Sequence, residues 1–496
     1  MPYEYDGSLI LSDLSKNVNI PLSTVNYIVG ILFNMITNLV YVYLLWPNST
    51  SNMINYSYIA ITQTLIAYFV FGWHGLMLFS LAISIFPIFR GYLFLKGKRR
   101  SLLEREVAIK KDDDEDNDND NDKKQKTDKK STFQIVHQFA HAINVILLAV
   151  TALTFLDKKS RHNATRDMHY SYVMARLFQK FTSYFYAVAD GFKDVDEFDD
   201  KYQKVRKQNR IDRPKLRFSS YIAYILCNTM GGDLIFYNQF STLSARTNKE
   251  EQQRVIKPMA KKAVYALITA AICGFIGQRV TIHYPAIRLE DENFLSTNSW
   301  LYNCFYCWIS VYVGFRCTIY FMWNLMRANA YILGIETDKD DLWGNLTATN
   351  MIVVMNTWNK LVSKWLKLIC FEQFENPHGH YQRKFFLSFM ISLIWHGVGP
   401  NSIVTFTLWS FASFATRKFR KSSIYRQIQE FIRKPNSQIS SICFYVYYFI
   451  SWAMAQFGVC YFTTAYGLKT IGGIFNFLYY TRFVSILPLC LALLLK

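Results

Sequence analysis

Five histidines fall within or at the ends of long apolar runs of this chain, and an ionisable side chain placed there is a candidate for chemistry. They are His74, His137, His141, His283 and His396. A neutral imidazole can accept or deliver a proton near neutral pH, so each could serve as a general base. The triplet Trp-His-Gly occurs around both His74 and His396, which raises the question of which one acts.

His396 differs from His74 in the segment that precedes it. Residues 357–365 read TWNKLVSKW, and the apolar residues around them recur at intervals of three and four, which predicts an amphipathic helix with Asn359 beside its apolar face. A short break, ENPHGHYQRK, then leads into the apolar run that ends at Trp-His-Gly. Because this connection is short, we expect neighbouring helices that bring Asn359 near His396.

The remaining chemical patterns favour structural roles. His137 and His141 are four residues apart, a spacing that could clamp a metal, but no Glu lies between them and no third ligand is evident, so we expect no metal site and a hydrogen-bonded pair near a helix end. Cys304 and Cys307 lack a second pair and are expected to be buried thiols. For His74 we expect a histidine hydrogen-bonded to a carbonyl or placed at a helix end.

The elements that must position these groups are membrane helices. Charged residues make up only 18% of the chain and aromatic residues 17%, and the apolar residues form stretches near the length needed to cross about 30 Å of hydrocarbon. We therefore predict an all-α, multi-pass integral membrane protein with roughly ten to twelve embedded helices. The predicted spans are 24–46, 57–71, 75–95, 134–156, 262–284, 301–334 (one tilted helix or two), 384–397, 401–416, 440–464 and 470–495, with weaker ones at 168–190 and 219–243.

The charged residues lie mainly in loops, so the net charge of +19 indicates lipid head groups and not nucleic acid as the partner. The loop 97–132 contains the acidic run 112–122, which has nothing apolar to bury and is predicted to be disordered. Two basic stretches, 200–217 and 415–435, are expected to contact head groups or a phosphorylated cosubstrate. The first residues lack the basic region of a removable signal peptide.

The two spaced motifs resemble those of the membrane-bound O-acyltransferases, most closely the lysophospholipid acyltransferase branch with its WN-x-x-T-x-x-W and WHG-x-x-P-G-Y elements. The chain keeps Trp358, Asn359, Trp365, Trp395, His396, Gly397 and Pro400, and departs at Leu346, Val362, Asn401 and Ser402. Segments 177–191 and 321–335 are similar to further elements of that branch. The likeness covers roughly residues 170 to 460.

The resemblance implies direct transfer of a fatty acyl group from acyl-CoA to a hydroxyl of a lysophospholipid, in a central chamber among the helices and with no permanently bound cofactor. His396 would be the general base, and Asn359 would orient the acceptor or stabilise the oxyanion. Residues 1–96 would then be N-terminal membrane helices and 133–496 the catalytic core. Endoplasmic reticulum residence is expected on the same ground.

The substrate-contacting residues are expected in three groups. Trp358 and Trp395 flank the two catalytic groups, and Arg327 with Asn324 either contacts substrate or forms a structural hub. Basic residues at a cytosolic mouth would meet the CoA phosphates, because cations and phosphate form charge-assisted hydrogen bonds; these are Arg206, Lys207, Arg210, Arg213 and Lys215.

Two other functions stay open. A protein-acylating enzyme of the same superfamily would also carry the WN and WHG elements. A channel or transporter could line its pathway with intramembrane polar groups. No internal repeat is visible, and since many transporter folds are built from paired halves, this counts against the transporter.

Overall fold

The computed structural model describes residues 5–45, 52–108, 119–161, 170–199, 203–211, 217–245, 249–337, 341–373, 381–432 and 438–494. These ranges are built from helices and contain no β-strand, so the all-α prediction is confirmed. The described chain divides into two compact units. The first unit comprises residues 1–263, 328–336 and 364–384, and the second unit comprises 264–327, 337–363 and 385–496.

The helices follow one another closely along the chain. In the first half they are α1 Ser12–Val18, α2 Leu22–Val40, α3 Asn52–Ala108, α4 Asn119–Arg161, α5 Ser171–Asp190, α6 Lys204–Asn209, α7 Phe218–Leu226, α8 Tyr237–Ala245 and α9 Lys249–His283. In the second half they are α10 Glu292–Thr297, α11 Trp300–Cys307, α12 Arg316–Ile332, α13 Leu342–Leu346, α14 Met351–Trp358, α15 Lys360–Leu366, α16 Tyr381–His396, α17 Pro400–Lys421, α18 Ser423–Ile432, α19 Gln438–Gly467, α20 Ile471–Tyr480 and α21 Leu487–Leu494.

Six helices of the described residues are long and apolar enough to cross a membrane, which supports a multi-pass membrane protein. They are Leu22–Leu45, Asn52–Gly97, Lys130–Leu156, Gln253–His283, Trp300–Ile332 and Ser441–Gly467. The predicted segment 301–334 is a single helix in which α11 and α12 are joined by a π-helical stretch, Trp308–Phe315. The predicted spans 219–243 and 470–495 are each broken into two shorter helices.

The loop predicted to be disordered, 97–132, is entered by helices from both sides. Helix α3 continues to Ala108 and α4 begins at Asn119, while residues 109–118, which carry most of the acidic run, lie outside the described residues. Leu, Glu, Arg and Lys are strong helix formers and make up most of residues 97–108, which explains why α3 continues where disorder was predicted.

The first Trp-His-Gly triplet lies at a kink of α3. Gly72, just before it, has a φ of +55°, and a Cβ at this position would lie 2.1 Å from the carbonyl oxygen of Asp6. Only glycine accepts this conformation and this close approach without strain. The predicted spans 57–71 and 75–95 therefore meet at the kink, where the N-terminal segment packs against it.

Helix α5 forms the centre of the first unit, with nearly all its residues buried. The Lys180 ammonium donates to the carbonyls of Tyr224 (2.9 Å) and Ile225 (3.3 Å), and so caps the C-terminal end of α7. The hydroxyl of Thr182 accepts a 2.9 Å hydrogen bond from the Trp365 indole. The stretch 177–191, singled out in the sequence, thus fixes α7 and the second tryptophan of TWNKLVSKW.

In the second unit, α9 packs against the helix Trp300–Ile332 through glycines. A Cβ at Gly277 would lie 3.0 Å from the Thr318 backbone nitrogen, and one at Gly314 would lie 3.0 Å from Val280. Small residues allow membrane helices to approach this closely. Cys304 and Cys307 on α11 are buried free thiols, as predicted.

Candidate active site

The second Trp-His-Gly triplet forms the turn between α16 and α17. Helix α16 ends at His396, and Gly397 follows with a φ of +116°, a region that favours glycine. Pro400 then opens α17, where its fixed φ suits the first helical position. From α19, the Tyr466 hydroxyl donates to the carbonyl of His396 (3.3 Å), so the backbone at the triplet is held from a third helix.

The imidazole of His396 is half-buried and surrounded by aromatic rings. Its centroid lies 4.5 Å from that of Trp395, 5.0 Å from Phe406 and 6.2 Å from Tyr466. No described residue forms a hydrogen bond with either ring nitrogen. One nitrogen can therefore accept a proton from a hydroxyl group, and the carbonyl end of α16 favours the imidazolium that would result.

Three other histidines from the apolar runs are engaged with protein groups. Nδ1 of His74 lies 2.6 Å from a carboxylate oxygen of Asp6, and the residue follows directly after the kink of α3 at Gly72. Nε2 of His137 lies 3.0 Å from the Gln373 side-chain oxygen, and Nδ1 of His141 lies 2.9 Å from the Tyr186 hydroxyl. Each histidine of the predicted pair is therefore hydrogen-bonded to a residue outside the pair. The described residues contain no cluster of three or more His, Cys, Asp or Glu suited to a metal ion.

Asn359 lies at the junction of α14 and α15. Its Oδ1 accepts a 3.2 Å hydrogen bond from the backbone N–H of Val362, so the side chain caps the N-terminus of α15. Because the cap requires the oxygen, the Nδ2 donor is left for another group, and no described residue accepts from it. No hydrogen bond joins Asn359 to His396 in the described part of the chain, and their nearness stays a prediction.

Trp358, just before Asn359, packs against a buried arginine that the sequence interpretation missed. Arg316 is 5% exposed and lies between the rings of Tyr312 (4.4 Å to the centroid) and Trp358 (5.5 Å). Its guanidinium donates to the side-chain oxygens of Asn345 (2.9 Å) and Gln456 (3.3 Å). Among the described residues it has no carboxylate partner. The signal that could have identified it was the presence of an arginine in the middle of the apolar run 301–334.

This hydrogen-bonded network extends to the helix that carries Trp358. The Asn345 amide donates to the Val354 carbonyl and to the Thr357 hydroxyl, both at 3.2 Å, on α14. The Gln456 amide donates to the carbonyls of Asn345 (2.9 Å) and Ala348 (3.1 Å). Arg316 therefore connects α12 and α19 with the segment that ends at Asn359.

Arg316→Met is expected to lower both stability and activity. The substitution leaves two buried amide oxygens without a donor, which costs about 2–4 kcal/mol in total, and loosens α14 next to Asn359. The thermal midpoint and the turnover number should fall together, and Arg316→Lys, which keeps the charge and a donor, should restore part of both. A wild-type midpoint and turnover in Arg316→Met would show that the network contributes nothing.

The predicted contacts on α12 are placed as follows. Asn324 is buried, and its amide donates to the Tyr320 carbonyl (2.8 Å) one turn earlier on the same helix. Arg327 is half-buried one turn beyond Trp323, whose ring packs edge-on at 5.2 Å against Trp358. The choice between a structural hub and a substrate contact for Arg327 stays open.

The basic residues predicted to meet CoA phosphates are not equivalent. Arg206 is 2% exposed. Two nitrogens of its guanidinium donate to the Asp190 carboxylate, Nε to Oδ1 at 3.0 Å and Nη2 to Oδ1 at 2.5 Å. The guanidinium also donates to the Glu372 carbonyl (2.9 Å). Its donors are thus engaged inside the first unit, and we assign it to structure. Arg210 is half-buried at the end of α6, Lys207 is half-buried on α6, and Arg213 and Lys215 lie outside the described residues.

The Glu372 carboxylate is held by the same cluster. It accepts from the Arg206 backbone N–H (2.9 Å) and lies 3.3 Å from the Lys367 ammonium. Burial raises the pKa of this carboxyl group, and the Arg206 N–H and the Lys367 charge oppose that rise.

Arg206→Met is expected to destabilise the protein by about 3–5 kcal/mol, because it leaves the Asp190 carboxylate buried and unpaired. The double variant Asp190→Leu/Arg206→Met removes both charges and should recover much of the thermal midpoint. Lys204→Met is a matched control, since this lysine is exposed on the same helix. An Arg206→Met variant as stable as Lys204→Met would contradict the structural assignment.

Comparison with known proteins identifies the group to which these motifs belong. The family model of the membrane-bound O-acyltransferases matches residues 122–464, more than half of the chain. The chain belongs to this family. The match includes α5, the segments around Asn359 and His396, and most of α19, so the resemblance predicted from the sequence is confirmed.

Curated relatives of this O-acyltransferase carry names consistent with the family. The chain is 25% identical to membrane-bound glycerophospholipid O-acyltransferase 2 of Rattus norvegicus, over 99% of this chain and 87% of the relative. It is 27% identical to lysophospholipid acyltransferase 6 of Drosophila melanogaster, over 49% of this chain and 36% of the relative. Membrane-bound glycerophospholipid O-acyltransferase 1 of Homo sapiens is 21% identical, over 85% and 80% respectively. The chain is thus a multi-pass membrane acyltransferase.

Proposed function

We propose that the chain is an acyl-CoA-dependent lysophospholipid O-acyltransferase that resides in the endoplasmic reticulum, with acyl-CoA as cosubstrate and no permanently bound cofactor. The observation that carries this proposal is the His396 imidazole, which lies at a helix end with no hydrogen bond from a described residue to its ring nitrogens. The names of the relatives supply the substrate class.

In the proposed mechanism, His396 removes the proton from the acceptor hydroxyl as its oxygen attacks the thioester carbonyl carbon. The oxyanion that develops accepts a hydrogen bond from Nδ2 of Asn359. The carbon–sulfur bond then breaks, the CoA thiolate leaves, and the imidazolium returns its proton to that sulfur. Since the thioester is already activated, no covalent acyl-enzyme is required, and the products are a diacyl phospholipid and free CoA.

The membrane location suits such a reaction. Both proposed substrates carry acyl chains that are costly to transfer into water, at about 0.8 kcal/mol per CH₂ group. A site reached from the bilayer avoids this cost, whereas the anionic CoA moiety must approach from the aqueous side.

The test is a transfer assay with purified protein, labelled oleoyl- or arachidonoyl-CoA and a panel of lysophospholipids that differ in head group. We expect labelled diacyl phospholipid and stoichiometric free thiol with at least one of them. Hydrolysis of acyl-CoA without phospholipid product across the whole panel would contradict the lysophospholipid acceptor and would favour a protein acceptor.

A further inference from the structure

A groove of about 530 Å³ opens in the second unit at the C-terminal end of α9. Its lining includes Arg279, His283, Tyr284, Arg288, Tyr302 and Tyr306. None of these residues belongs to the site around His396 and Asn359. Because α9 contributes the membrane-crossing helix Gln253–His283, the groove lies where this helix ends, at the level expected for phosphate groups.

The three basic groups of the groove lack a negatively charged partner. Arg279, His283 and Arg288 are all exposed, and no carboxylate among the described residues forms an ion pair with any of them. Arg279 and His283 are one turn apart on α9, and Arg288 lies on the following 3₁₀ turn, Ala286–Glu290. Two separate elements thus present their cations to one cavity.

Three carboxylates follow directly in the chain, yet each is engaged elsewhere. Glu290 accepts from the backbone N–H groups that precede α20, at 2.8 and 3.1 Å. Asp291 accepts from the Asn293 N–H (3.0 Å) at the start of α10, and Glu292 accepts from the Tyr480 hydroxyl (3.3 Å). Among the described residues, none of these three carboxylates forms an ion pair with a cation of the groove.

The inner wall of the groove is aromatic and fixed. Tyr306 is buried, and its hydroxyl donates to the Pro285 carbonyl (3.3 Å). Its ring lies 5.5 Å from Tyr284 and 6.3 Å from Tyr302, centroid to centroid. Such a wall can pack against the organic part of a ligand whose charged end meets the arginines.

Helix-dipole stabilisation and snorkelling explain part of this arrangement. A cation in the last turn of α9 is favoured by the carbonyl end of the helix, which accounts for His283. The helix dipole does not account for Arg288, which lies beyond the end of α9 and lines the same cavity. Unspecific snorkelling places side chains in the head-group layer and requires neither a formed cavity nor an aromatic wall.

We propose that this groove binds a phosphate ester, with Arg279, His283 and Arg288 at the phosphate oxygens and the tyrosines against the organic group. Arginine suits this role because its planar donors match phosphate oxygens in pairs. The phosphate can come from a phospholipid head group or from a nucleotide such as the CoA cosubstrate. The inference does not depend on the catalytic role of His396.

The test compares Arg279→Gln/Arg288→Gln with the control Arg254→Gln/Lys257→Gln. The control removes two exposed cations from α9, the helix of Arg279, outside the groove. Purified full-length protein is titrated separately with adenosine 3′,5′-bisphosphate and with phosphatidic acid in neutral nanodiscs. We expect the groove variant to bind one of the two probes at least about tenfold more weakly, from the loss of charge-assisted hydrogen bonds, and the control to match wild type.

Weaker binding of phosphatidic acid alone identifies a head-group site, and weaker binding of the nucleotide alone identifies a cosubstrate site. Unchanged binding of both probes, or an equal loss in the control, would overturn the proposal. Because the four substituted residues are exposed, thermal midpoints should stay near wild type. Neither readout uses turnover, so a failed transfer assay would leave the result interpretable.

Discussion

His396→Ala is expected to lower the rate of acyl transfer by about 10²–10⁴-fold, the usual contribution of a positioned general base. The imidazole is the group at this helix end able to take the acceptor proton, and no described residue forms a hydrogen bond with its ring nitrogens. The measurement is the initial rate of acyl transfer from labelled acyl-CoA to the lysophospholipid that the wild-type protein acylates fastest, with both substrates at saturating concentrations.

The chain supplies a matched control in its other Trp-His-Gly triplet. His74→Ala removes the same ring from the same local sequence, but this ring contacts Asp6 and stacks on Tyr170 at 4.9 Å. We expect His74→Ala to keep wild-type turnover and to lower the thermal midpoint. His396→Ala also loses ring contacts and should lower the midpoint by no more than His74→Ala does. Full turnover in His396→Ala would contradict the assignment of His396 as the base.

Asn359→Asp is expected to lower turnover by about 10²–10³-fold while the protein stays folded, because an oxyanion donor is lost. Aspartate caps a helix as well as asparagine does, so the bond from the Val362 N–H should persist. The new carboxylate has no N–H to donate and would repel the oxyanion. Turnover and the thermal midpoint are both measured.

Two further substitutions separate the role of Asn359 as a helix cap from its proposed role as an oxyanion donor. Asn359→Ser keeps a neutral cap without the amide donor and should match Asn359→Asp in turnover. Asn359→Ala removes the cap as well, which costs about 1 kcal/mol of stability. If Asn359→Asp and Asn359→Ser retained activity and only Asn359→Ala lost it, the side chain of Asn359 would act only as a helix cap.

The sequence was sufficient for the class of fold and for the motifs, because both are local. Apolar stretches of membrane length predicted helices, and the Trp-His-Gly triplet with Pro400 predicted a helix break that the structure shows between α16 and α17. The kink of α3 also lies at a glycine, but its cause, the approach of Asp6 to Gly72, joins segments far apart in the chain. Spacing along the chain carries no information on such a contact.

The basic residues show the same limit more sharply. Arg206 lies in a polar stretch that suggests a surface, yet it pairs with Asp190 at the end of a buried helix and with Glu372, 166 residues away in the chain. Arg316 was overlooked because neutral amides and aromatic rings satisfy it in place of a carboxylate. Partners of this kind become visible only when α12, α13 and α19 are packed together.

Helix α5 has a consequence for biogenesis. Lys180 and Asp190 are buried in α5, and nearly all of its other residues are buried as well, so almost no apolar face is left for lipid. Helix α5 is not among the helices that are apolar enough to cross a membrane. In a membrane helix each such charge costs about 2.5–3.5 kcal/mol, so α5 is not expected to leave a translocation channel alone. Its ammonium needs the carbonyls of α7, which is synthesised later. Nascent chains that stop before α7 should therefore hold α5 outside the hydrocarbon, and its integration should follow the arrival of its C-terminal neighbours.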